Sequence, residues 1–150
     1  VSNAALRARY VSDAVTTASP ARLVVMLYER LVLDLRTAEE ALTATPPDRS
    51  EATGRLIHAQ QIVLELISGL DTTAWSGGPG LVSIYVFLSS ELAAANIAAD
   101  AARVVTCRQL VEPLRDAWRE AAARIAAGAS GTASGTAPDG APTDAVGGVA

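Results

Sequence analysis

The sequence predicts an all-α protein built as an antiparallel up-down four-helix bundle, and three observations carry that expectation. Apolar residues recur three and four apart in four separate stretches. Proline, glycine or aspartate clusters that end helices divide those stretches. Composition is rich in Ala, Leu, Glu and Arg and holds a single Phe in 150 residues, so the core has to be aliphatic. That length suits one domain, expected over residues 1–127.

Each element follows from local chemistry. Residues 1–18 form a leader whose Leu6, Tyr10, Val11 and Val15 stand at near-helical spacing, too short to hold a helix unless docked. The first helix is expected over 19–42. Ser19 can cap it, and Pro20 takes the first helical position, where a missing N–H costs nothing. Its stripe is Val24, Leu27, Leu31, Leu35, Ala38 and Leu42, and Pro46-Pro47 ends it. The second helix, 49–70, carries Ala52, Leu56, Ala59, Val63, Leu66 and Leu70 on one seam. Residues 71–80, with Gly77, Gly78, Pro79 and Gly80, read as a loop.

The third helix, 81–99, aligns Leu81, Ile84, Tyr85, Leu88, Leu92, Ala95 and Ala99. Asp100 opens the fourth, 100–126, whose seam is Val104, Cys107, Val111, Leu114, Trp118, Ala121 and Ile125; Pro113 should kink or split it. Residues 128–150 are Gly, Ala, Ser, Thr, Pro and Asp with almost no large apolar side chain, the composition of a disordered tail.

Several function classes are excluded. A net charge of −4 and the lack of a basic stripe argue against nucleic acid. All twelve basic residues are Arg, which reads as base-composition bias. Cys107 is alone, so no intramolecular disulfide forms, and on the seam it reads as a small buried hydrophobe. His58 is the single histidine, with no Cys or carboxylate at ligand spacing, and is expected to be a partly exposed helix residue. Glu39 and Glu40 are adjacent on a helix and point apart, while Gly77–Gly80 lacks the Lys-Ser/Thr of a phosphate loop. The expectation is a non-enzyme without cofactor or metal. No signal segment is visible, and the apolar runs Leu23–Tyr28 and Leu31–Leu33 are too short for a membrane span, so a cytoplasmic protein without membrane insertion is expected.

Four stretches carry a family resemblance. Ala18-Ser19-Pro20-Ala21-Arg22-Leu23-Val24-Val25-Met26-Leu27-Tyr28-Glu29 resembles the Ala-Ser-Pro-x-x-Leu-x-x-Met-Leu-Tyr-Glu opening of the flagellar secretion chaperones, the FliS family. Ala59-Gln60-Gln61-Ile62-Val63-Leu64-Glu65-Leu66 with Leu70-Asp71 is similar to its second-helix pattern. Leu81 to Tyr85, then Leu92, Ala95-Asn96-Ile97 and Asp100, is similar to its third, and Leu114-Arg115-Asp116-Ala117-Trp118 to its fourth. Ala8-Arg9-Tyr10 stands where members carry an aromatic before the Ser-Pro. The stretches span residues 5–125 in order; Ser90 and Glu91 stand where members usually carry basic residues before Leu92. The resemblance implies an ATP-independent chaperone whose client is the C-terminal segment of flagellin, bound in an extended, wrapping mode in apolar grooves between helices. It also implies delivery to the flagellar export gate, and a leader that covers part of the groove when no client is bound.

Spacing tests the groove. At 100° per residue, Val82, Val86, Ala93 and Ile97 form a second apolar strip on the third helix, more than a quarter-turn from its seam. Ile57, Ile62 and Leu64 widen the second helix's arc, and Val25, Met26, Val32 and Leu33 fall outside the first helix's stripe. The candidate client contacts are therefore Leu6, Tyr10, Val11, Ile62, Leu66, Val82, Tyr85, Val86, Leu92, Ala93, Asn96 and Ile97. For Asn96 and Asp100, four apart, two roles stand open, holding a helix terminus or contacting client backbone, with capping slightly favoured. Periodicity alone leaves a client groove and a homodimer face level. Two further alternatives stand beside the chaperone. One is a small secreted helical protein, because Trp75-Ser76-Gly77 resembles a W-x-G turn, although Tyr85 is followed four on by Ser89 and not by an acid. The other is a dimerising bundle without chaperone function.

Overall fold

The computed structural model describes residues 3–6, 19–70 and 77–133, with side chains described as far as Gly128. Its four long elements are all helices: α1 is Pro20–Thr43, α2 Arg49–Ser68, α3 Gly78–Ala98 and α4 Ala101–Ala133. Residues 3–6 add one helical turn.

The helix starts follow from their caps. Ser19 Oγ accepts from the Arg22 N–H at 3.2 Å, and Pro20 follows in the first turn. Asp48 accepts from the Glu51 N–H at 3.0 Å, and Asp100 from Ala102 and Arg103 at 3.0 and 3.3 Å. Each satisfies donors that the first helical turn leaves open. α3 begins at Gly78, inside the expected loop, because Pro79 in a first turn loses no hydrogen bond. It closes at Ala99, whose φ of 50° is left-handed, with its N–H on the Ala95 and Asn96 carbonyls.

α4 departs from expectation twice. It is not split at Pro113 but runs on as one helix, with the proline on its exposed side and Val111 buried beside it. It also continues seven residues beyond 126, through positions expected in the tail. Extending an existing helix fixes one residue per bond and escapes the cost of nucleation, so even Gly128 and Gly131 are carried along. The expected disorder beyond Ala133 lies outside the described residues.

α1 packs against α4 and α2, α2 against α3, and α3 against α4, which closes the ring; the α1–α4 contact is the most extensive and α3–α4 the sparsest. α1 and α4 run in opposite directions. Glu29, Arg36 and Glu39 ascend one helix as their partners Arg119, Glu112 and Arg108 descend the other, at 3.0, 3.0 and 2.9 Å.

The core is aliphatic with two tyrosines, and it lies where the seams meet. Leu31, Leu35, Leu56, Ala59, Val63, Leu88, Leu92, Val104, Cys107 and Val111 are fully buried. α1 buries a wider arc than its stripe implies because it lies between two helices. Val25 and Val32, expected outside the stripe, are core residues, and Asp34 is buried with them. At its ends Val24, Leu27 and Leu42 are half-buried. α3 corrects another expectation. It is 21 residues long and holds an 18-residue stretch of mean hydropathy 1.6, long and apolar enough to cross a membrane by length and composition although no unbroken aliphatic run marks it. Here its Leu81, Tyr85, Leu88, Leu92 and Ala95 face the core.

Candidate functional site

The expected client contacts divide into two groups. Ile62 and Leu66 on α2 and Tyr85 and Leu92 on α3 are core residues, at most 6% exposed, so in this conformation none of them stands on the outer face of the bundle. The correction has a simple cause: all four lie on or beside the seams that close the ring, and a bundle of this size fills its centre with them first. The second strip on α3 is different. Val86 is 56% and Ile97 84% exposed, and Val82, Ala93 and Asn96 are half-buried. Leu6 is exposed at the N-terminal turn, while Tyr10 and Val11 lie outside the described residues.

The strip faces α2. Gln60 Nε2 donates to the Ser89 carbonyl at 3.5 Å, which sets the edges of the two helices side by side. Ile57 and Leu64, exposed on α2, lie on the outer side of that same edge. Between these apolar side chains stand Gln60, Gln61, Ser89 and Ser90, so the face holds amide and hydroxyl groups but no charge. Such a surface suits an uncharged, amphipathic chain and offers little to phosphate or to an acidic ligand.

The other flank of α3 carries apolar residues too. Phe87 is half-exposed, and it belongs neither to the seam nor to the second strip, so no periodicity marks it. At the start of α3, Leu81, Leu114, Ala117, Trp118 and Ala121 line a hollow of about 250 Å³. Trp118 also borders a smaller hollow of about 110 Å³ with Val24, Leu27, Leu66, Leu70 and Tyr85. This end of the bundle is the one from which α1 departs and at which α2 ends.

Beneath both hollows lies an aromatic cluster. The Tyr28 and Tyr85 hydroxyls are hydrogen-bonded to each other inside the core, and the Tyr28 ring stacks on Trp118 with centroids 6.5 Å apart. Burial raises the Tyr28 hydroxyl above its ordinary value while hydrogen bonding with Tyr85 and Trp118 pulls it back; burial raises Tyr85 further, and its bond to Tyr28 adds to the rise. Both stay neutral, and the pair satisfies two polar groups that would otherwise be stranded.

His58 is half-exposed as expected, yet it has a carboxylate partner. Its Nδ1 contacts Asp34, which is fully buried and also receives Arg55 Nη1 at 3.3 Å, with Arg30 Nε 3.6 Å away. No local spacing could reveal this, since Asp34 and His58 are 24 residues apart on different helices. Glu51 and then Asp34 raise the Arg55 guanidinium, so it remains a cation beside the buried acid. Burial pushes the Cys107 thiol up to about 11, as befits a packed side chain and not a nucleophile. Among the described residues no cluster of His, Cys, Asp and Glu has the arrangement to hold a metal ion.

Residues 2–125 match the family described as flagellar protein FliS, well over half of the chain. The chain belongs to the FliS family. It is also 30% identical, over 112 residues, to the flagellar secretion chaperone FliS of Bacillus subtilis strain 168, which covers 75% of this chain and 82% of that one. The FliS match ends at Ile125, so the last turns of α4 lie beyond it. Within it lie the Tyr28–Tyr85–Trp118 cluster, the Asp34 network and both apolar flanks of α3.

Proposed function

We propose that this protein is a cytoplasmic flagellar export chaperone, catalysing nothing, that holds the C-terminal segment of flagellin unpolymerised and hands it to the export gate. The observation that carries the reading is the exposed strip of Val86 and Ile97 beside Ile57 and Leu64. A large apolar side chain left in water forgoes about 1.5–3 kcal/mol of burial, and four of them share one uncharged face. Membership of the FliS family and a relative named as a flagellar secretion chaperone supply the client class.

In this reading the bundle is an up-down antiparallel one, supported by the α1–α4 ion-pair register. The client lies in extended form along α2 and α3, with Val82, Val86, Ala93 and Ile97 beneath it and Asn96 towards its backbone. Leu6, Tyr10 and Val11 of the leader cover the face while it is empty, and a homodimer is the alternative cover. Ile62, Leu66, Tyr85 and Leu92 support the face from within.

Calorimetric titration of the full chain with a synthetic flagellin C-terminal peptide tests this. Binding should bring a gain in helicity and a negative heat-capacity change. Val86→Asp and Ile97→Asp should each weaken it about tenfold or more while the free protein keeps its helicity. Unaltered affinity in both variants would remove the α2–α3 face from the proposal, and no binding at all would remove the client.

A further inference from the structure

The four helices are not equally fastened. α1 is tied to α4 by Glu29–Arg119, Arg36–Glu112 and Glu39–Arg108, and to α2 by Asp34 with Arg55 and His58. Among the described residues, α3 is joined to α4 by a single ion pair, Glu91 with Arg103 at 3.0 Å, placed next to the turn that already connects them. Its polar tie to α2 is the 3.5 Å Gln60–Ser89 bond, at the long limit for a hydrogen bond. The α3–α4 contact is also the sparsest in the ring.

Packing repeats the asymmetry. The seam between α3 and α4 holds the 250 Å³ hollow beside Trp118, lined by Leu81 of α3 and by Leu114, Ala117 and Ala121 of α4. α3 is moreover bounded by two joints. At its start Gly77, Gly78 and Gly80 surround Pro79, and a Cβ at Gly80 would meet nothing within 4 Å. At its end Ala99 sits in the left-handed region, which an L-residue leaves readily. Glu91 is the one charge along α3, and beyond its ion pair and the Gln60–Ser89 bond the helix has one buried polar tie, the Tyr85 hydroxyl on Tyr28 of α1, so a tilt away from α4 trades mainly apolar surface.

We propose that the α3–α4 seam is the opening joint of the bundle: α3 tilts away from α4 about its glycine start and Ala99, while α1, α2 and α4 stay clamped. Opening enlarges the hollow beside Trp118 into a slot for apolar side chains of the client, a use that rests on the chaperone reading. The motion itself does not.

Native-state hydrogen exchange on the full chain, free of client, tests it. Amides of α3 should exchange about tenfold or more faster than those of α1 and of α4 up to Trp118, as one cooperative unit. Gly80→Ala, which has room and stiffens the first joint, should slow α3 severalfold and leave α1 unchanged; Glu91→Gln should quicken α3 alone. Equal protection of α3 and α1, or variants that move all four helices together, would overturn the joint. Because no peptide enters these measurements, failure here and failure of flagellin binding are separately visible.

Discussion

Removing the Tyr28 hydroxyl should cost more than removing both hydroxyls of the buried pair. Tyr28 and Tyr85 are 0% and 1% exposed, and their hydroxyls are bonded to each other. Tyr28→Phe strands the Tyr85 hydroxyl in the core, and a buried unsatisfied polar group costs about 1–3 kcal/mol. Tyr85→Phe strands the Tyr28 hydroxyl in turn, but beside the half-buried Trp118 ring on which Tyr28 stacks, so its cost falls at the low end, about 1 kcal/mol. In the double variant neither hydroxyl remains, so the loss falls to about 1 kcal/mol or less. If the single losses simply added, the double variant would lose roughly 3 kcal/mol, so a coupling near 2 kcal/mol is expected. Urea unfolding of all four proteins, followed by far-ultraviolet circular dichroism and by tryptophan fluorescence, gives the numbers, provided the two probes coincide. A double variant destabilised by the full sum would show that the hydroxyl pair does no joint work, and the account of the core would fail there.

Three further outcomes follow from single sites. Ala99→Gly should raise stability by about 0.5–1 kcal/mol in the same urea assay, since relief of the left-handed alanine outweighs the added freedom of glycine when unfolded; Ala99→Val should lower it. The Glu112 carboxyl is held below its ordinary value by Arg36 and then Arg108. A depressed acid stabilises above its unfolded value and loses that contribution as pH falls through the folded one. Wild type should therefore exceed Glu112→Gln by no more than about 1 kcal/mol at neutral pH, and the gap should close in acid. Cys107, buried with its thiol pushed up, should resist a thiol-specific dye in native protein at mildly alkaline pH and react at once when unfolded. Rapid native labelling would contradict its packing.

The sequence carried the helices far better than it carried their surroundings. Four seams at three- and four-residue spacing located every long helix to within a few residues, except where α4 outran its expected end. That spacing, however, describes one helix at a time. Burial of Val25 and Val32 depends on α4 lying against α1, and burial of Ile62 and Leu66 depends on the ring closing. Exposure of Val86 and Ile97 was legible because their strip points away from any seam a four-helix ring can form. Phe87 escaped because it stands alone on its flank. Asp34 with His58, and Tyr28 with Tyr85, escaped because each pair meets across helices, where no local pattern reports on a partner.

Asp34 has one more effect, on alignment. Seams of Leu, Val and Ala are nearly interchangeable, so α2 could slide along α1 by a turn with small loss of apolar contact. A buried carboxylate cannot slide, because only one alignment brings it Arg55 and His58. The acid thus acts less as glue than as an index pin for the first hairpin. Replacing it with leucine should keep or raise the melting temperature while blurring methyl resonances into several alignments, and uniformly sharp lines would show that the pin is dispensable.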